Sequence, residues 1–254
     1  MLSLRIAQLA PMLAPMTDLT GLLGRVAGLF LAPLFGVGSL LRQARFFHPS
    51  GVCYRADVVP SAGTLQSLGE RLGPAALVRL SGAWWRSHEW PDVLGIAVRF
   101  QDTPGAAPQS GDQDLLLATI PLPVLTPVAP LWTNVHDFLD NTYYGVSPFE
   151  VSGVGSLRFR LRPAAPAPAA ADRNRRLAAA AAAGTAVLQL QAQDAPGATW
   201  HPVAELHLTT ELTLDQASLR FSPFREGRGL APRGFVHGLR RGVYLFSQAA
   251  RPAA

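Results

Sequence analysis

From residue 51 onward the chain is built of short strand-type segments that recur between turn residues, and this leaves few architectures open. Val52–Val59 (VCYRADVV), Ala75–Ala83 (AALVRLSGA), Leu94–Gln101 (LGIAVRFQ) and Asp114–Ile120 (DLLLATI) are each 7–9 residues long, rich in Val, Leu, Ile and Phe, and bounded by Gly, Pro or Asp. That is the punctuation of β-strands. Alternation puts Arg55 and Asp57 together on the solvent-facing side of the first. Leu131–Tyr144 then interrupts the pattern, with apolar residues at helical spacing in Leu131, Val135, Phe138 and Leu139. A second set follows in Gly155–Arg162, Thr185–Gln193 and Val203–Leu214, and the tail Gly238–Arg251 has a helical pattern stopped at Pro252. Four strands, a helix, about four more strands and a terminal helix imply an α+β, mainly β chain. The expected architecture is an eight-stranded antiparallel barrel with flanking helices. No internal repeat of roughly 20–50 residues is present to suggest a solenoid or propeller.

Residues 1–44 differ in texture. Their charges are Arg5, Asp18, Arg25 and Arg42, and the uncharged run Val26–Leu41 is 16 residues long. A helical span needs about 20. Three readings stand: an arm packed on the domain, an anchor lying on a membrane surface, or a span. A secretory signal is poorly supported, because no clean cleavage site follows a short apolar run. The expected organisation is an N-terminal segment, 1–44, and a single barrel domain, 45–254, carrying an Ala/Pro-rich insertion at 163–184. Pro163–Pro168 cannot lie inside a helix. Ala170–Ala183 reads equally as a short helix or a flexible connection, and without an apolar period the insertion is expected to bury no face.

All 22 basic residues are Arg; the absence of Lys excludes a P-loop lysine, a Schiff-base lysine and a Ser–Lys dyad. A GC-rich genome would explain that bias as well as function does. The net charge is +5, but the arginines are scattered through apolar segments, so no nucleic-acid partner is expected. The single Cys53 rules out a disulfide framework and a Cys-based zinc site. It fits a reducing compartment and hence the cytoplasm, with membrane association through residues 1–44 left open. GxGxxG and GxSxG are missing, which weighs against dinucleotide binding and the nucleophile-elbow hydrolases. The histidines at 48, 88, 136, 201, 207 and 237 form neither HxH nor HxxxH, which weighs against a dedicated non-haem metal site. Ser–His–Asp catalysis stays open, since a triad is defined by geometry.

Two clusters stand out. Arg45-Phe46-Phe47-His48-Pro49-Ser50-Gly51 precedes the first strand. It reads either as a turn with an exposed His or as a His under aromatic cover beside an Arg. Near the C-terminus, Arg240, Tyr244 and Arg251 share one helix face at offsets of four and seven. A guanidinium beside a phenol favours the phenolate, although such pairs are also common surface decoration.

Together these clusters resemble the haem-dependent catalase superfamily over roughly residues 42–252, as a minimal version of it. The Arg-x-x-His element before the first strand is matched by Arg45 and His48. The second-strand element is matched by Val78-Arg79-Leu80-Ser81, the third by Asp92 to Phe100, and the opening of the fourth by Asp114-Leu115. Phe221-Ser222-Pro223 matches an element after the last strand, and Arg240, Tyr244 and Arg251 match the proximal motif. The resemblance implies a barrel of the catalase type holding haem b, with Tyr244 as the iron ligand and Arg240 beside it. It implies His48 as the distal acid–base residue, hydrogen-bonded by Ser81, and Arg45, Arg79 and Arg251 as partners of the haem carboxylates.

The chain departs from the family at the distal Asn, whose position is Ala118 in Asp114-Leu115-Leu116-Leu117-Ala118. Phe47 is bulkier than the residue usual before the His, and the ring expected over the haem has stand-ins in Leu131, Trp132 or Phe138. Lacking that Asn, the chain is expected to act as a peroxidase on organic or lipid hydroperoxides, with weak catalase turnover. A rearrangement of fatty-acid hydroperoxides is a neighbouring activity. The alternatives are a non-catalytic haem binder or sensor, and a degenerate barrel without haem. A homo-oligomer is among the assemblies this reading allows.

Overall fold

A computed structural model of the chain describes residues 51–234, apart from 86, 87, 104, 123, 124, 127, 146 and 217. The readings placed on residues 1–50 and 235–254 lie outside the described residues. Residues 44–232 form one compact unit, and 1–43 with 233–253 are grouped as another.

The described chain is mainly β. Its strands are β1 (Gly51–Pro60), β2 (Ala75–Gly82), β3 (Leu94–Gln101), β4 (Gln113–Ala118), β5 (Tyr143–Gly145), β6 (Phe149–Val151), β7 (Gly155–Pro163), β8 (Val187–Gln193), β9 (His201–Glu211) and β10 (Leu230–Pro232). Eight of them close an antiparallel barrel in the order β1–β2–β3–β4–β5–β7–β8–β9, with β9 pairing back onto β1 and β7 onto β8. β6 and β10 extend it as a short ribbon on β7. Register shifts between Tyr54 and Ala56 and between Leu190 and Gln191 mark the bends that closure requires.

Strict alternation decides what fills the barrel. Tyr54, Ala56, Val78, Leu80, Ile96, Val98, Leu115 and Leu117 all point inward into one buried apolar cluster. An interior filled by side chains leaves no lumen for a ligand. On the other face of β1, Arg55 and Asp57 are exposed and pair at 3.7 Å, as the alternation implies. Helix α1 (Gln66–Leu72) links β1 to β2 and adds Leu68 and Leu72 to the same core.

Two expectations are overturned. The insertion at 163–184 does bury a face: helix α2 (Arg173–Ala182) packs Leu177, Ala180 and Ala181 into the barrel core. Asp172 caps it, accepting from Arg175 N at 2.9 Å, so one polar residue starts a helix that the alanines then propagate. Conversely, Leu131–Tyr144 is not a helix. Only the 3-10 turn Ala129–Leu131 forms there, and the rest is turns leading into β5. Side chains win over the helical ladder: Asn134 Oδ1 accepts from His136 N at 3.0 Å, Asp137 Oδ1 from Leu139 N at 2.7 Å, and Asn141 Oδ1 from Asn134 N at 2.9 Å. Short polar side chains that bond nearby backbone favour turns. Val135, Phe138 and Leu139 are still buried, while Leu131 is 81% exposed.

Candidate functional site

Of the residues that the sequence singles out, Arg79, Ser81 and Ala118 lie on the outer face of the barrel. Directly paired residues on antiparallel strands project to the same side. One cross-strand row therefore runs Gly51–Ser81–Gly95–Ala118–Tyr144–Arg160. The next row is Cys53–Arg79–Ala97–Leu116, and the third is Arg55–Leu77–Arg99–Asp114. Ser81 and Ala118 are thus two strands apart on one row, with only the hydrogen of Gly95 between them. Ser81 is buried, and Ala118 packs with Ile120 against Ala83, Val93 and Ala129.

Arg79 is 3% exposed. Its Nε donates to Gln216 Oε1 at 2.8 Å, and Gln216 Nε2 lies 3.5 Å from Cys53 Sγ. Burial lowers the pKa of this guanidinium, and Cys53 acts in the opposite direction. Gly51 makes room for it, since a Cβ there would sit 2.9 Å from Arg79 Cζ and 2.6 Å from the Leu80 oxygen. Beyond β9, Leu212, Leu214, Leu219 and Phe221 cover the middle of this face against Cys53, Leu77, Ala97 and Leu116.

Three motif elements far apart in sequence meet in one buried hub. Asp114 Oδ1 accepts from Arg99 Nε at 2.8 Å; Oδ2 accepts from Arg99 Nη2 at 3.1 Å, Ser222 N at 2.8 Å and Arg225 Nε at 3.1 Å. Arg99 also donates to the Ala106 and Arg220 carbonyls and lies 4.8 Å from the Phe221 ring centre. Both side chains of the Arg99–Asp114 pair are fully buried. The hub pins the covering segment onto β3 and β4, and so helps hold Gln216 over Arg79. Asp92, also buried, accepts from Val93 N at 2.7 Å and from the amides of Trp84 and Trp85, holding the β2–β3 turn. Burial pushes its carboxyl up, against those hydrogen bonds and the charge of Arg173.

The tyrosines separate sharply. Tyr54 and Tyr143 lie inside the core; Tyr54 donates to Glu211 Oε2 at 3.2 Å and Tyr143 to the Phe138 carbonyl at 2.8 Å. Burial, first of all, pushes both phenols up, so neither is suited to serve as a phenolate. Phe138 is likewise a core residue, while Trp132 is half exposed on the surface. Arg45, His48, Arg240, Tyr244 and Arg251 lie outside the described residues. Among the described residues, no group of three or more His, Cys, Asp or Glu is placed to hold a metal ion.

A cleft of about 450 Å³ opens beside Ala118, lined among others by Thr119, Trp132, Asn141, Tyr144, Arg162 and Pro163. Along the outer face of β7, Arg160 donates to Gln191 Oε1 at 2.7 Å and lies 4.3 Å from the Trp200 ring centre. Burial lowers its pKa, with Tyr144 opposing and Arg162 assisting. The alternation Arg158, Arg160, Arg162 in GSLRFRLRP was the signal for this face, but it gives no hint of the aromatic neighbours.

No protein-family model matches this chain, and a search among curated proteins finds no match.

Proposed function

We propose that the chain is a haem-binding, catalase-like protein, acting as a peroxidase on organic or lipid hydroperoxides. The observation that carries the reading is the row Gly51–Ser81–Gly95–Ala118 above the buried Arg79. Residues chosen for their likeness to a distal haem pocket fall on one face of the barrel, in neighbouring rows. The interior of the barrel is filled, so a cofactor would have to bind outside it, and this face has the chemistry. The small side chains of Ser81, Gly95 and Ala118 suit a flat macrocycle, and the buried Arg79 guanidinium, seated over Gly51, suits its carboxylates. The described part of the donor set therefore fits haem b.

Bound haem would supply the redox chemistry of peroxide cleavage. Tyr244 would hold the iron through its phenolate oxygen, kept ionised by Arg240. Arg45, Arg79 and Arg251 would neutralise the two propionates. His48 would carry a proton between the two peroxide oxygens, with the Ser81 hydroxyl orienting its ring. Ala118 offers no donor to hold hydrogen peroxide, whereas a bulkier hydroperoxide can be held by its own apolar tail. That same lack keeps a second reading in play, a haem binder or sensor without turnover.

Purification with added haem tests the reading. A Soret band that is lost in Tyr244→Phe is the expected result; no band in the unaltered chain overturns it and leaves a barrel without haem. Steady-state oxidation of an organic donor by a hydroperoxide then separates the peroxidase from the sensor.

A further inference from the structure

Exposed apolar side chains are not spread over this molecule. Nine large ones are exposed among the described residues, and all but Val59 and Val154 lie in two loops, 83–93 and 119–133. The strand pairings put these loops at one end of the barrel: Gly82 pairs with Leu94, Gly95 with Ala118, and Ala118 with Tyr144. Four of the five tryptophans of the chain are here. Leu131 is 81% exposed, Trp90 56% and Trp132 50%. Trp85 and Trp90 meet edge to face at 5.1 Å, and His88 stacks on Trp90 at 4.8 Å. Glu89 ties the first loop to the chain just beyond the second and to the start of α2, with Oε2 2.6 Å from His136 Nδ1 and Oε1 accepting from Arg173 N.

Cationic groups border the same end. Arg160 pairs with Tyr144, and Arg162 lies two residues further toward the aromatic loops on the same outer face of β7. Arg162 and Trp132 line one cleft. Neither Arg160 nor Arg162 forms an ion pair with a carboxylate among the described residues. The acidic groups at this end are Glu89, engaged as above; Asp92 and Asp137, both buried and holding backbone amides; Asp140, which accepts from Asn134 Nδ2 at 2.8 Å; and Asp172, which caps α2 and pairs with Arg175 at 3.5 Å.

Isolated exposed apolar residues need no explanation; a cluster at loop tips does. Tryptophan and leucine beside arginines without a carboxylate partner match a bilayer surface, where amphipathic rings sit at headgroup depth and guanidinium groups meet anionic lipid. We propose that this end of the barrel docks on an anionic phospholipid surface, with Leu131, Trp132 and Trp90 entering the headgroup layer and Arg160 and Arg162 facing lipid phosphates. The proposal rests on described residues alone and does not depend on haem. Among the described residues no helix is long and apolar enough to cross a membrane.

The full chain is to be sedimented with vesicles of phosphatidylcholine alone and of an equal mixture with phosphatidylglycerol. Binding is expected to the mixture and to weaken with salt. An arginine near an anionic surface is worth about fivefold in affinity, so Arg160→Gln with Arg162→Gln should weaken binding roughly 30-fold. Leu131→Ser with Trp132→Ser should weaken it at least ~10-fold. Both pairs lie at the surface, and far-UV circular dichroism checks that they fold. Should one fail to fold, lipids brominated in the upper acyl chain give the answer on the unaltered chain, where tryptophan fluorescence is expected to be quenched. Absence of binding, binding unchanged in both double variants, or fluorescence that stays unquenched in bound protein overturns the proposal. The second of these outcomes would assign the contact to another part of the chain.

Discussion

Raising the pH should destabilise this protein through two tyrosines, and the absence of lysine simplifies the effect. Tyr54 and Tyr143 are buried, and both phenols are pushed above the ordinary value near 10. In the unfolded chain each loses its proton at about pH 10; in the folded chain each keeps it to higher pH. The unfolded state then binds fewer protons, so the stability they contribute is fully present below pH ~10 and is lost as pH rises toward the folded values. The limiting slope is about 1.4 kcal/mol per pH unit for each tyrosine, or about 5 kcal/mol for the pair by pH ~12. That equals the lower end of the roughly 5–15 kcal/mol by which domains are stable. Lysine, which would otherwise titrate in this window, is absent, and Tyr144 and Tyr244 are the only other phenols; the guanidinium groups of Arg79 and Arg160, lowered by burial, act in the opposite direction as pH nears the arginine range. Denaturant unfolding followed by tryptophan fluorescence, repeated from about pH 9 to about pH 12, measures the slope. Tyr54→Phe and Tyr143→Phe should each remove about half of it. A slope unchanged in both variants, or phenolate absorbance from all four tyrosines appearing before unfolding, would refute the reasoning.

Asp114→Ala removes the carboxylate from a fully buried Arg99, leaving it only the Ala106 and Arg220 carbonyls, and should cost about 3–5 kcal/mol in denaturant unfolding. Leu177→Ala should cost about 2–5 kcal/mol, since Leu177 is fully buried in the barrel core; a neutral result would mean that α2 does not pack there. Asp172→Ala removes the cap of the same helix and should cost about 1 kcal/mol. If the haem reading holds, Ala118→Asn restores a distal donor and should raise hydrogen peroxide turnover by about a hundred- to a thousand-fold. An unchanged rate in a correctly folded, haem-loaded variant would mean that this row does not face the peroxide.

The sequence by itself determined the strands and their faces. Period-two alternation makes Val78, Leu80, Ile96 and Val98 inward and Arg79, Ser81 and Ala97 outward whatever the neighbours are. From those faces followed the barrel and the side on which Ser81 and Ala118 lie. It could not supply the three-residue β5, too short to carry a period, nor β6 and β10, which exist only because β7 offers an edge. It also misread two segments for opposite reasons. Leu131–Tyr144 has a helical apolar period, but Asn134, Asp137 and Asn141 bond the backbone locally and win. Residues 173–182 have little apolar period, yet the barrel offers Leu177, Ala180 and Ala181 a place to pack. The hub of Asp114 with Arg99, Ser222 and Arg225, and the clustering of tryptophans from two loops, were decided by tertiary structure alone. Each brings together residues distant in the chain, through the pairing of β2, β3 and β4 and the return of the segment after β9 onto them.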